Sequence, residues 1–125
     1  MKALLPVALL LLAAAPSVDW SKAQLATVVM VDDRFQPDHL TFQRGVPYRL
    51  HLENHGKDLH EFTAPEFFAA ALIRNPGQLA NGGKEVVVQP EGSADIFLEP
   101  LKAGSFHLIC ADHDWDGMVG NITVK

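Results

Sequence analysis

The sequence predicts an all-β protein, an antiparallel β-sandwich with one short inserted helix. Apolar and polar residues alternate with a period of two along several short segments, which is typical of half-buried strands. Turn-forming residues separate these segments, as at Asn81-Gly82-Gly83 and Pro90-Glu91-Gly92. Many short strands at this spacing favour a sandwich of two sheets.

The alternation is clearest where Tyr48, Leu50 and Leu52 are interleaved with polar neighbours. A β-rich run at residues 27–31 predicts an earlier strand. Four further strands are predicted at residues 86–88, 94–99, 106–110 and 122–124.

One segment, residues 66–74 (EFFAAALIR), interrupts the strand pattern because its residues favour a helix. Pro65 stands immediately before it, and Asn75-Pro76-Gly77 follows it. Proline at the start and a breaker after the end are typical of a short helix. We therefore predict a helix at 66–74, inserted between strands.

The N-terminus has the pattern of an export signal. Lys2 precedes an apolar run at residues 3–15, which is too short to span a bilayer. We predict a signal peptide at residues 1–23, cut after Ala23, with a cut after Ser17 as the second choice. The mature domain would then be 24–125, and no later apolar run predicts a membrane span in it.

The predicted mature chain is acidic, with 14 Asp and Glu, 8 Lys and Arg, and a net charge of −6. This argues against nucleic acid as a partner, because phosphate binding needs a basic face. The chain has a single cysteine, Cys110, so no internal disulfide can form. A free thiol in an oxidising compartment is expected to be buried or bound to a metal.

The chemistry of the chain is concentrated in a Cys-x2-His-x4-Met motif made by Cys110, His113 and Met118. Thiolate and thioether sulfur select reduced copper, and imidazole also binds the oxidised ion. A strand that ends at the Cys and a turn back to the Met would bring all three together. Taken alone, the motif also fits a buried thiol, a core Met and a surface His.

A second motif lies upstream, and with it the chain resembles the cupredoxins, the blue-copper proteins. The pattern is Phe-x-Pro, an aliphatic residue, a strand, a Gly turn, a second strand, an Asn and His-x-Phe. The chain supplies it with Phe35, Pro37, Leu40, Gly45, Asn54, His60 and Phe62. The Cys-x2-His-x4-Met loop resembles that of pseudoazurin, and the two motifs cover nearly the whole mature chain.

The resemblance implies a Greek-key β-sandwich with one copper ion at one end. His60, Cys110 and His113 would be the trigonal ligands and Met118 the weaker axial ligand. The implied protein is periplasmic, acts as a monomer and transfers single electrons to a redox partner. A structural zinc site seldom uses Met, and no context for a Cys-His hydrolase is recognisable.

Other polar residues near these motifs have open roles. Asn54 is either a residue that ties the ligand loops together or a simple turn former. His55 is the rival of His60 for the upstream ligand, but it lacks the His-x-Phe context. His51 and His107 are predicted to be solvated surface residues, since each lies on the polar or out-of-phase side of its strand.

Three carboxylates, Asp112, Asp114 and Asp116, surround His113 and Trp115. They favour a cationic partner, either a basic protein or a metal ion. The same residues also fit a solvated loop that binds no partner. The chain also resembles small periplasmic cupredoxins linked to copper tolerance. Binding or oxidation of cuprous ion is therefore the alternative function, and delivery of metal to a permease is a third.

Overall fold

The computed structural model describes residues 2–3 and 17–125, so residues 1 and 4–16 of the predicted signal peptide lie outside the described residues. The described residues form ten strands and one α-helix, α1, at Pro65–Ala69. The strands are β1 Gln24–Val31, β2 Arg34–Gln36, β3 His39–Phe42, β4 Tyr48–Asn54, β5 His60–Thr63, β6 Ala71–Ile73, β7 Glu85–Val88, β8 Ser93–Pro100, β9 Gly104–Ile109 and β10 Val119–Val124.

The strands form two five-stranded sheets that enclose one hydrophobic core. The first sheet has the order β2-β1-β4-β8-β6, and the second has the order β3-β10-β9-β5-β7. The predicted sandwich is thereby confirmed. All six strand segments predicted from the sequence fall within or at the end of strands of the structure.

The sheets are not antiparallel throughout. β1 pairs with β4 in parallel, and β3 pairs with β10 in parallel, while the other strand pairs are antiparallel. Parallel neighbours need a crossover connection, and here the chain passes through the other sheet between the partners. Alternation in a sequence carries no information on strand direction, so the antiparallel prediction was too simple.

The predicted helix at 66–74 is wrong in its second half. Helix α1 ends at Ala69, and the next residues form the edge strand β6, which pairs with β8. The pairing satisfies backbone groups that a longer helix would have bonded internally. The first half behaves as predicted: Pro65 begins the helix, and Phe67 and Phe68 are buried.

The core is built from the inward side chains of both sheets and from α1. Phe67 stacks on Phe42 with ring centroids 5.2 Å apart, and Phe68 lies 5.9 Å from Phe62. The large side chains that are fully buried include Met30, Phe42, Leu50, Leu52, Phe62, Phe67, Ile96, Leu98, Leu108 and Ile122. This core holds β5 and β9 in place, and these strands deliver two of the predicted site residues.

None of the helices that the structure describes is long and apolar enough to cross a membrane.

Candidate metal centre

Three of the four predicted ligands converge at one end of the second sheet. His60 begins β5, Cys110 directly follows β9, and His113 lies in the connection between β9 and β10. The Cys110 Sγ is 3.4 Å from His113 Nδ1 and 3.8 Å from His60 Nδ1. Each residue offers one ligand atom, and these three atoms all lie within 4.8 Å of one another. Among the described residues, this is the group of side chains that could hold a metal ion.

The three side chains differ in their access to solvent. His60 and Cys110 are fully buried, whereas the His113 side chain is 18 % exposed. The His113 imidazole therefore forms the solvent edge of the cluster. The rings of His60 and His113 meet at 61° with their centroids 4.8 Å apart.

The loop that carries His113 closes back on itself through backbone hydrogen bonds. The N–H of His113 donates to the carbonyl of Cys110, and the N–H of Met118 donates to the carbonyl of His113. The N–H of Cys110 donates to the carbonyl of Met118 at 3.0 Å. Gly117, with φ of 85°, provides the left-handed turn before Met118.

Met118 is fully buried, and its backbone makes hydrogen bonds with the backbones of Cys110 and His113. The backbone of the fourth predicted ligand is therefore held beside Cys110 and His113 by hydrogen bonds. Its role as an axial ligand stays a prediction and is taken up as a proposal below.

Asn54 ties together the segments around His60. Its side-chain amide donates to the carbonyls of Asp58 and Val88, each at 2.9 Å. Its side-chain oxygen accepts from the N–H of Gly56 at 2.8 Å. Asn54 is fully buried. Its bond with Gly56 forms a turn, and its bonds with Asp58 and Val88 anchor the loop before His60 to β7.

The Cys110 thiol lies in a buried pocket together with an acidic side chain. The N–H of Glu61 donates to Cys110 Sγ at 3.3 Å, and the thiol donates to Glu61 Oε2 at 3.1 Å. Burial raises the pKa of the Cys110 thiol to about 11, and burial also raises the pKa of Glu61. The metal-free thiol is therefore protonated at neutral pH, and binding of a metal must release that proton.

Sequence reasoning missed Glu61. Alternation along a strand points the Glu61 side chain to the other face from His60 and predicts that it is exposed. In the structure, Glu61 is only 5 % exposed. The N–H of Asp112 donates to its Oε2 at 3.4 Å, so the loop after Cys110 covers it. Nothing in the local sequence indicates this contact, because the two residues are far apart along the chain.

Asp112, Asp114 and Asp116 form an acidic edge around His113, and this edge contains more carboxylates than the sequence predicted. The carboxylate of Asp58 lies 3.9 Å from His113 Nε2. The pKa of Asp33 is raised, first by a side-chain hydrogen bond with Asp116, which places the turn between β1 and β2 beside the loop. Trp115 is 80 % exposed in the middle of this edge, and its indole N–H donates to the carbonyl of Asp112.

The other histidines lie away from the cluster. His55 is exposed, and its Nε2 lies 2.9 Å from Glu53, so the structure brings His60 and not His55 to Cys110. His107 is exposed on β9, as predicted. His51 was predicted to be solvated and is instead half-buried, with Nδ1 2.7 Å from Asp95 and Nε2 2.9 Å from Glu53.

The contacts of His51 predict a pH-dependent stability. Hydrogen bonds to Asp95, and next to Glu53, raise the pKa of His51 in the folded protein. The resulting stabilisation is fully present below the unfolded pKa of about 6.5, and it is lost as pH rises through the higher folded pKa. Urea unfolding of metal-free protein from about pH 6 to 9 measures this loss.

In that measurement His51→Gln should flatten the decline in unfolding free energy as pH rises. His107→Gln is the matched control, because it removes an exposed imidazole, and it should leave the pH profile of the wild type unchanged. Equal pH profiles for the wild type and His51→Gln would contradict the stabilising role assigned to the hydrogen bonds of His51 with Asp95 and Glu53.

The chain has relatives both in sequence and in structure. The chain belongs to the cupredoxin-like domain family, whose model matches residues 3–124. It is 33 % identical over 116 residues to the copper-resistant cuproprotein CopI of Rubrivivax gelatinosus, covering 86 % of this chain and 70 % of that protein.

Two solved auracyanin structures share the fold. Auracyanin B superposes with a TM-score of 0.64 at 18 % identity, covering 86 % of this chain and 93 % of that one. Reduced auracyanin from Roseiflexus castenholzii gives a TM-score of 0.62 at 16 % identity, covering 82 % and 98 %. At these identities the matches establish the β-sandwich fold that the sequence predicted.

Proposed function

We propose that this chain is an exported mononuclear copper protein that carries out one-electron transfer. Copper would be held by His60, Cys110 and His113, with Met118 as the axial ligand. The observation that carries the proposal is the convergence of two imidazole Nδ1 atoms on one buried thiol, at 3.8 and 3.4 Å. Two imidazoles, a thiolate and a weak thioether are the donor set of a blue-copper centre.

Copper in such a site supplies reversible one-electron chemistry. The residues around it exclude water, since Cys110, His60 and Met118 are fully buried. The closed loop from Cys110 to Met118 and the bonds of Asn54 fix the donors, so that little needs to move when the charge of the ion changes. The exposed edge of His113 is the path by which an electron would enter and leave.

The second candidate function is copper tolerance, by binding or oxidation of cuprous ion. Two observations favour it: the relative CopI is described as copper-resistant, and carboxylates surround the exposed edge of His113. A deletion strain grown across copper concentrations separates the two roles. Sensitivity to copper with normal respiration would support tolerance, whereas loss of a respiratory or photosynthetic electron path would support a carrier.

The location and the mature domain belong to the same proposal. We propose a signal peptide at residues 1–23 and a periplasmic mature domain from 24 to 125, with a cut after Ser17 as the second choice. The start of strand β1 at Gln24 fits a cut after Ala23. The edge-on packing of Trp20 against Phe97, with ring centroids 6.4 Å apart, fits a cut after Ser17. N-terminal sequencing of protein from its native host decides between an intact Met1 and the two cuts.

The acidic edge gives a test of what approaches His113. We expect the change of Asp112, Asp114 and Asp116 to Asn to leave the visible band nearly unchanged. If the partner is a basic redox protein, the change should weaken the fall of the electron-transfer rate with salt, since three attractive charges are lost. If the edge gathers cuprous ion, the variant should oxidise that ion more slowly.

A control variant carries Glu66→Gln, Glu91→Gln and Glu99→Gln, which remove the same number of charges from side chains of the mature domain outside the acidic edge. It should behave like the wild type in both measurements. A triple Asp variant that matched this control in both would show that the edge is only a solvated loop.

A further inference from the structure

The two ring nitrogens of His60 face different groups. Nδ1 points to Cys110 Sγ at 3.8 Å, and Nε2 lies 3.2 Å from Oδ1 of Asp32. The His60 side chain is fully buried, so Nε2 has no access to solvent and needs a partner within the protein. Asp32 lies in the turn between β1 and β2, 28 residues before His60.

Asp32 is itself held in place. Its Oδ1 also accepts the backbone N–H of Lys57 at 3.0 Å, so one carboxylate joins the β1–β2 turn to the loop before His60. Asp32 is 41 % exposed, so its charge is not isolated in the core.

Gly56 makes room for this contact. A Cβ at Gly56 would lie 2.7 Å from His60 Nε2 and closer still to Asp32 Oδ1, and both distances are too short for packed atoms. Any larger residue at this position would push the carboxylate and the imidazole apart. The space left by Gly56 and the hydrogen bond from Lys57 are two separate features that favour the same arrangement of Asp32 and His60.

We propose that Asp32 is a positioning residue of the metal centre, which orients His60 and fixes its Nε2–H tautomer. An N–H on Nε2 that donates to a carboxylate leaves the lone pair on Nδ1, the nitrogen that faces the thiol. The carboxylate also makes the imidazole a stronger donor, which favours the oxidised ion. The inference rests on the proposed function, because it takes His60 as a copper ligand.

Three variants isolate this role. Asp32→Asn keeps an oxygen that can accept from Lys57 or His60 but removes the charge. Asp32→Ala removes both hydrogen bonds. Asp33→Asn is the matched control, because it removes the same charge one residue away, where the side chain contacts Asp116 instead of His60.

The first measurement is the reduction potential and the affinity for cupric ion of the copper-loaded proteins. We expect Asp32→Asn to raise the potential relative to Asp33→Asn while the visible band is retained. Asp32→Ala should weaken cupric binding by about 10- to 100-fold, the usual effect of removing such a carboxylate. Potentials and affinities equal to those of the control in both Asp32 variants would overturn the inference.

The second measurement needs no copper. In nitrogen-15 NMR spectra of the metal-free protein at about pH 8, His60 should carry its proton on Nε2. That proton should exchange slowly with water, and Asp32→Ala should accelerate the exchange. A proton on Nδ1, or rapid exchange in the wild type, would refute the assigned tautomer.

The outcomes separate this inference from the proposed function. A wild-type protein that binds no copper at His60 refutes the proposed function, and with it the positioning role of Asp32. A wild type with the expected visible band and Asp32 variants that match Asp33→Asn refute the positioning role alone.

Discussion

Cys110→Ala is expected to abolish the visible absorption band of the copper-loaded protein. The band of such a centre arises from charge transfer between a thiolate and cupric ion, and Cys110 is the only cysteine in the chain. The residue is fully buried and lies within 3.8 Å of both candidate imidazoles, so no other sulfur can replace the thiolate. Absorption spectra at equal copper loading measure the effect.

The matched control is Met118→Leu, which changes the buried sulfur of the predicted axial ligand without removing the thiolate. It should keep the band and raise the reduction potential, because a weak donor to the oxidised ion is lost. Circular dichroism of both metal-free variants checks that the fold persists. An intense band that survives in Cys110→Ala would contradict the assignment of the ligands.

Asn54→Ala is expected to have the largest effect on stability. The change removes three hydrogen bonds, to the carbonyls of Asp58 and Val88 and from the N–H of Gly56. Each buried group left without a partner costs about 1–3 kcal/mol, so the free energy of unfolding should fall by about 3 kcal/mol or more. Because the loop before His60 is then released, copper affinity should fall by about 10- to 100-fold.

Asn75→Ala is the control for that prediction. Asn75 also bridges two backbone groups, the carbonyl of Asp95 and the N–H of Phe97, but on the first sheet and away from the cluster. It should lower the unfolding free energy by about 2 kcal/mol without altering the visible spectrum. A spectrum and copper affinity of the wild type in Asn54→Ala would show that the loop does not depend on Asn54.

The longer strands could be predicted from the sequence because each spans enough residues for alternation to be visible. In β4, Tyr48, Leu50 and Leu52 are buried while Arg49 is exposed, as the pattern indicated. Strands β2 and β6 have three residues each, too few to show a period. Their formation depends on pairing with β1 and β8, which local sequence does not encode.

The four ligands could be predicted from the sequence because their chemistry is concentrated in two recognisable motifs. Cys110, His113 and Met118 lie within nine residues, and His60 was selected over His55 by its neighbour Phe62. The structure brings His60, and not His55, to Cys110, which agrees with that selection, while the role of His60 as a ligand stays a prediction.

The surroundings of the ligands could not be predicted, because they depend on contacts between distant parts of the chain. Asp32 reaches His60 across 28 residues, and Glu61 reaches Cys110 across 49. Both are ordinary acidic residues in the sequence, in a turn and on a strand. The pairing of β5 with β9 places Glu61 against the thiol, and the contact of the β1–β2 turn with the loop before His60 places Asp32 against the imidazole.

The most direct test of the central claim is anomalous diffraction at the copper absorption edge from crystals of the copper-loaded protein. The account predicts one copper per chain, in contact with His60 Nδ1, Cys110 Sγ and His113 Nδ1 and next to Met118. A crystal in which this position is empty, or in which copper lies at the imidazoles of His51 and His55 while the Cys110 thiol remains unbound, would contradict it.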